Sequence, residues 1–153
     1  MKTEFEIAPG ITLHIGQRPS EFPSEEERTK WTNALRSGRY KQGKEALRKG
    51  DYYCCLGVKE ELDGCKWSKG NNEGAPEPVY FTDSGSNAAY SRPSKWLTRF
   101  GDLPCRAYVR VRPDGACSTY TLLTELNDAG FTFTQIADII DIVWNPKTYA
   151  NNP

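Results

Sequence analysis

Two adjacent cysteines, Cys54 and Cys55, are the residues most suited by type to covalent chemistry, and Gln42 lies upstream where a thiol hydrolase would carry a side chain that helps hold an oxyanion. Such a nucleophile also needs a histidine in reach to take its proton, and the single histidine, His14, falls in a segment that reads as a strand. Without that base a thiol stays protonated at about pH 7 unless a helix N-terminus or nearby cations lower its pKa. The pair therefore reads as buried, inert thiols, with a thiol-dependent enzyme using Cys54 or Cys55 as the alternative. The five cysteines, at 54, 55, 65, 105 and 117, lack the pairs roughly two to four residues apart from which zinc sites are built. No metal is expected, and with no glycine-rich phosphate loop no cofactor is expected either. Asp138 and Asp141 are one helical turn apart and read as a solvated face.

The formal charge is +0, but it is unevenly spread. Residues 1–27 carry a net −4, residues 28–49 a net +7 and residues 114–153 a net −4. Within the basic block Arg39, Lys41, Lys44, Arg48 and Lys49 are interleaved with Tyr40 and followed by Tyr52 and Tyr53, a mixture that binds phosphate and stacks on a base. Gln42 in the same block serves either as a ligand donor or as a tie between loop and helix. The plainer reading is a lysine-rich surface whose charge the acidic ends neutralise within the fold.

The elements that must place these residues follow from periodicity and caps. Phe5 to Ile15 alternates about Pro9-Gly10, as a hairpin does. Ser24-Glu25-Glu26-Glu27 is a capping-box pattern that opens a helix over about 25–37, closed by Gly38. Residues 39–50 are compatible with loop, strand or helical turn. Asp51 would cap a second helix with Tyr52, Cys55, Leu56 and Leu62 as its stripe, interrupted at Lys59 and closed by Asp63-Gly64. Residues 68–92 read as loop with one strand at Val79-Tyr80-Phe81, and Ser91 to Gly101 as a short helix. Ala107, Val109 and Val111 alternate with Tyr108, Arg110 and Arg112 in a strand with a charged outer face, ended by Pro113-Asp114-Gly115. A helix over 119–128 with Leu122, Leu123 and Leu126 inward, and another over 133–144 opened by Thr132 and Gln135, complete the chain. That last pair resembles a DNA-reading helix-turn-helix in its turn glycine, Gly130. Its exposed face, however, offers Gln135 beside Asp138 and Asp141, which phosphates repel.

The run Trp31, Ala34-Leu35, Ser37-Gly38, Tyr40, Gln42, Leu47, Tyr53-Cys54-Cys55-Leu56-Gly57-Val58, and later Leu126-Asn127-Asp128, Gly130, Thr132-Phe133, Gln135-Ile136-Ala137-Asp138 and Ile140, resembles a family of small uncharacterised proteins encoded by bacteriophages and bacterial prophages. The likeness covers roughly residues 29–64 and 93–144. It implies a phage origin and a host cytoplasm, and it specifies no reaction.

Composition sets the outer bounds. At 153 residues the chain is about one domain, and 12% aromatics supply burial that its few aliphatics do not. No apolar run approaches the ~18 to 20 residues of a membrane span, and the N-terminal sequence lacks the apolar core of a secretory signal. An odd number of cysteines without that signal points to free thiols in a reduced cytosol. The expected fold is α+β, about four helices with a small, mainly antiparallel sheet, divided into an N-terminal arm or hairpin over 1–22, a main domain over 23–146 with a loop insertion at 68–92, and a frayed tail over 147–153. The expected function is that of a non-enzymatic phage accessory protein that binds a host component, either an anionic small molecule such as a nucleotide signal or a host defence protein. A nucleic-acid-binding protein, acting through the basic block or a degenerate helix-turn-helix, is the third reading.

Overall fold

A computed structural model describes residues 2–70, 77–82, 95–112 and 117–150. The Pro113-Asp114-Gly115 turn, most of the expected 68–92 loop and the start of the helix after Ser91 lie outside them. The described residues form an α+β domain with two sheets and five α-helices, one more helix than expected.

The N-terminal hairpin is β1 (Glu4–Ala8) and β2 (Ile11–His14), turned at Gly10 with φ of +78°. It is half of a four-stranded antiparallel sheet, in which β2 pairs with β8 (Tyr108–Val111) and β8 with β9 (Ser118–Tyr120). Alternation decides its two faces: Leu13 pairs with Val109 and both are fully buried, while Thr12 pairs with Arg110 and His14 with Tyr108 on the outer side.

Helix α1 (Glu25–Arg36) opens where the caps place it, with the Ser24 hydroxyl accepting the Glu27 N–H at 3.1 Å. The Glu27 carboxylate does not complete the box. It turns instead to Lys59, because a buried ammonium attracts it more than a solvated amide does. Helix α5 (Phe133–Val143) carries the full box, Thr132 and Gln135 each bonding the other's backbone N–H. Ile136, Ile139, Ile140 and Val143 are all fully buried, and α5 packs along α1.

Two expected elements are corrected, and one open region is resolved. Asp51 caps no helix: Tyr52–Tyr53 is a strand, β5, and α2 begins three residues later, at Cys55–Leu62 with Cys54 as its cap. The undecided 39–50 region holds β3 (Lys41–Gln42) and β4 (Arg48–Lys49), which join β5, β6 (Trp67–Lys69) and β7 (Val79–Thr82) in a second sheet of order β3-β5-β4-β7-β6. Helical periodicity misread Tyr52 and Tyr53 because each strand here is two to four residues, too short to show alternation. Likewise the helix expected over 119–128 splits into β9 and a shorter α4 (Leu123–Asp128), leaving Leu122 as an exposed cap position. In chain order α3 (Lys95–Phe100) follows β7 and precedes β8.

The tail is corrected as well. Asn145 caps a 3₁₀ turn over Pro146–Tyr149, whose Tyr149 ring is 1% exposed and donates its hydroxyl to the Val143 carbonyl at 3.0 Å. Residues 146–150 are therefore docked on the core by an aromatic anchor, not frayed.

Candidate functional site

Of the residues singled out in the sequence, Gln42 and the Cys55 backbone meet at one polar knot around buried Asn127. Gln42 on β3 reaches α4 and α5: its Nε2 donates to Asn127 Oδ1 at 3.1 Å and to the Phe131 carbonyl at 2.7 Å, and its Oε1 accepts the Phe133 N–H at 3.1 Å. Asn127, fully buried, also accepts the Cys55 N–H at 3.2 Å and donates to the Gly43 carbonyl at 2.7 Å. Next to it, Asp128 Oδ1 accepts the N–H of Glu45, which sits at φ of 65°. One buried amide thus satisfies the start of α2, the 39–50 loop and Gln42 together, as buried polar groups require. Of the two roles open to Gln42, the structure shows the tie.

Cys54 and Cys55 lie under this knot with no exposed surface. The Cys54 sulfur accepts the Gly57 N–H at 3.4 Å, and the Cys55 thiol donates to the Leu123 carbonyl at 3.7 Å. A helix N-terminus ordinarily lowers a thiol pKa, but burial outweighs it here: the Cys54 thiol is pushed up to about 11, and burial raises Cys55 well above the ordinary thiol range. Glycine at 57 is demanded by close approach, because a Cβ there would stand 1.8 Å from the Leu47 carbonyl oxygen. His14 sits in the other sheet, on β2. The thiols are structural caps and core.

The basic block divides in two. Arg48 is withdrawn from solvent among aromatic rings, its guanidinium 4.2 Å from the Tyr80 ring centre, 5.4 Å from Tyr53 and 5.6 Å from Trp67, with Nε donating to the Gly50 carbonyl at 2.9 Å. Tyr40 and Tyr53 pack edge to face beside it, their ring centres 5.4 Å apart. By contrast Arg39, Lys41, Lys44 and Lys49 are exposed. Register places Lys41 opposite Tyr52 and Tyr52 opposite Lys49, so a cation, a ring and a cation form one row across β3, β5 and β4. Tyr52 is 40% exposed, and the Lys41 ammonium stands 5.7 Å from its centre. The exposed carboxylates of Glu45 and Asp51 lie near these residues in sequence, and the Glu77 carboxylate lies against Gly50 beside Lys49.

Comparison with known proteins gives a family and no activity. A family described as a domain of unknown function, DUF8296, matches residues 24–144. The chain belongs to the DUF8296 family. No curated protein and no solved structure matches it. The DUF8296 span holds the whole knot and the Lys41–Tyr52–Lys49 row, and it leaves out the hairpin β1–β2.

Within the DUF8296 span the acidic pair is corrected. Asp138 and Asp141 are not a solvated face: Arg36 donates to one carboxylate oxygen of each at 2.7 Å, and the Arg28 Nε lies 3.5 Å from Asp141. Arg28 is itself buried and donates to the Trp144 carbonyl at 3.1 Å. Arg28 and Arg36 of the basic block are thus neutralised by α5. Two features escaped the sequence reading. Lys59, read there as an interruption of the stripe, is 2% exposed and points its ammonium at Glu27 at 2.8 Å, at both Asp63 oxygens at 2.6 and 2.7 Å, and at the Trp96 ring, 4.2 Å to its centre. The Tyr52 row was hidden because it exists only once three short strands are in register. Among the described residues no helix is long and apolar enough to cross a membrane, and no cluster of three potential metal ligands occurs.

Proposed function

We propose that this DUF8296 protein is a non-enzymatic, phage-encoded accessory protein that acts in the host cytoplasm by binding a host nucleotide, with the Lys41–Tyr52–Lys49 row as the binding surface. The observation that carries this reading is the exposed Tyr52 ring in register between two exposed lysines that form no ion pair among the described residues: a base stacks on the ring while the ammonium groups meet phosphate. Lys44 and Arg39, exposed and close to Lys41 in sequence, add positive charge to the segment. Arg48 holds the strands beneath and keeps its guanidinium among the aromatics. The thiols supply no rival chemistry, because a protonated, fully buried sulfur is neither nucleophilic nor accessible.

The test is titration of a fluorescent adenine nucleotide at two salt concentrations. Replacing Lys41, Lys44 and Lys49 together by alanine is expected to weaken binding strongly at low salt and flatten its salt slope, with the thermal midpoint unchanged because all three are exposed. Tyr52→Leu is expected to cost ~1 to 3 kcal/mol of binding at either salt concentration, the value of one base stacked on an aromatic ring. Wild-type affinity in the triple variant would overturn the reading. Pull-down from infected lysate that enriches one host protein and no nucleotide would replace it with protein inhibition.

A further inference from the structure

The outer face of the four-stranded sheet holds a second cluster that the row on the other sheet does not use. A cleft of about 230 Å³ is lined by Glu4, Gly10, Thr12, His14, Arg110 and Arg112. Strand pairing builds it: Thr12 stands opposite Arg110 and His14 opposite Tyr108, so their side chains share the face turned from the core. The His14 imidazole stacks on the Tyr108 ring at 4.5 Å, nearly parallel, and its Nδ1 lies 3.3 Å from Glu4. That contact leaves Nε2 as the remaining polar atom of the ring. The Arg110 guanidinium stands 5.6 Å from the other side of the cluster, the Tyr108 ring centre.

The cleft lining carries two guanidinium groups, Arg110 and Arg112, and Arg110 Nε has no hydrogen-bond partner among the described residues. Such a donor is satisfied when the side chain turns it toward an acceptor brought into the cleft. The ligand is therefore an oxygen acceptor. Its charge follows from the lining, where two arginines outnumber one glutamate that His14 already engages. Glu6, opposite Thr12 in register, lines a separate cleft with Arg36, Asp138 and Asp141. Its shape follows from the donors: an arginine fork, a second guanidinium, a hydroxyl and an imidazole suit a tetrahedral group with three accepting oxygens better than a planar carboxylate. The cleft is smaller than the ~300 to 1,000 Å³ of drug-sized sites, so the ligand is small.

We propose that Arg110, Arg112, Thr12 and His14 form a binding site for the phosphate group of a small phosphorylated metabolite. This site is independent of the nucleotide-binding row. Half of it, on β2 and the Gly10 turn, lies outside the residues that the family match covers.

Inorganic phosphate is the probe, titrated at constant ionic strength into isotopically labelled full-length protein. The Arg110 Nε–H resonance and the signals of His14, the single histidine, are expected to shift together and saturate. Arg110→Lys keeps the charge but loses the fork, and it is expected to weaken binding at least tenfold. The variant lacking Lys41, Lys44 and Lys49 is expected to bind phosphate as wild type does, which separates this site from the row. Absence of a saturable shift in the wild-type protein would overturn the proposal without reference to any variant. Wild-type affinity in a folded Arg110→Lys protein would do the same, and acetate binding as tightly at the same resonances would overturn the assignment to phosphate.

Discussion

Gln42 and Asn127 are 85 residues apart in the chain and joined by one hydrogen bond of 3.1 Å, and through that bond the short-stranded sheet is locked to the helical layer. Asn127 accepts two N–H groups and donates to a carbonyl while fully buried, so its replacement strands several partners at once. Asn127→Leu keeps the volume and leaves the Cys55 N–H and the Gly43 carbonyl unpaired. At roughly 1 to 3 kcal/mol for each stranded group, it is expected to cost about 3 kcal/mol or more, measured by urea denaturation. Gln42→Ala is expected to cost less, and the double variant less than the sum, because both remove the same bond. Strict additivity would contradict the knot.

The cysteines divide by accessibility. Cys105 and Cys117 are exposed, Cys65 is half-buried, and Cys54 and Cys55 are sealed. At pH 7 a thiol reagent is expected to modify Cys105 and Cys117 rapidly, and Cys54 and Cys55 only after denaturant is added. Burial raises both sealed thiols, so neither forms an appreciable thiolate near neutrality. Rapid, selective labelling of either one in the native protein, located by peptide mass spectrometry, would restore the thiol-enzyme reading.

Glu27 gives stability a dependence on acid. Its hydrogen bond to the Lys59 ammonium holds its carboxyl below the ordinary value of 4.5. A carboxyl with a depressed folded pKa contributes stability that is complete above its unfolded value and lost as pH falls through the folded one. Thermal midpoints are therefore expected to drop below about pH 4.5, and to drop less steeply in Lys59→Met, where the partner is gone. Near neutrality that variant is expected to lose only ~1 kcal/mol, since Glu27 and Asp63 both keep contact with water. Parallel pH profiles for the two proteins would refute the coupling.

Helix α5 presents two faces with different costs. Ile136→Ala removes a fully buried side chain and is expected to cost ~2 to 5 kcal/mol. Asp141→Asn, which a fully solvated position would tolerate at ~0.5 kcal/mol or less, breaks the charge contacts to Arg36 and to buried Arg28 and is expected to cost about 1 kcal/mol. Chemical denaturation of the two variants side by side checks the order, and an Asp141→Asn protein identical to wild type would return that residue to the solvated face.

What the amino-acid order determined by itself is whatever is decided within a few residues. The Ser24 and Thr132 caps, the α5 isoleucine stripe and the alternation of β2 and β8 were legible because each rests on contacts three or four residues apart, or on a period repeated along one element. The class of the fold and the burial of Cys54 and Cys55 followed from the same local reading. Tertiary structure decided everything that depends on register between distant segments. Two-residue strands carry no period of their own, so Tyr52 becomes a platform between Lys41 and Lys49 only when β3, β5 and β4 align. Arg48 and Lys49 are neighbours in the chain and alike in charge, yet one is enclosed by aromatic rings and the other faces water, because adjacent residues in a strand point to opposite faces. Asp138 and Asp141 become partners of Arg36 only when α1 lies along α5. Charge type is written in the sequence, but the neutralising partner is a matter of distance, and distance is set by packing.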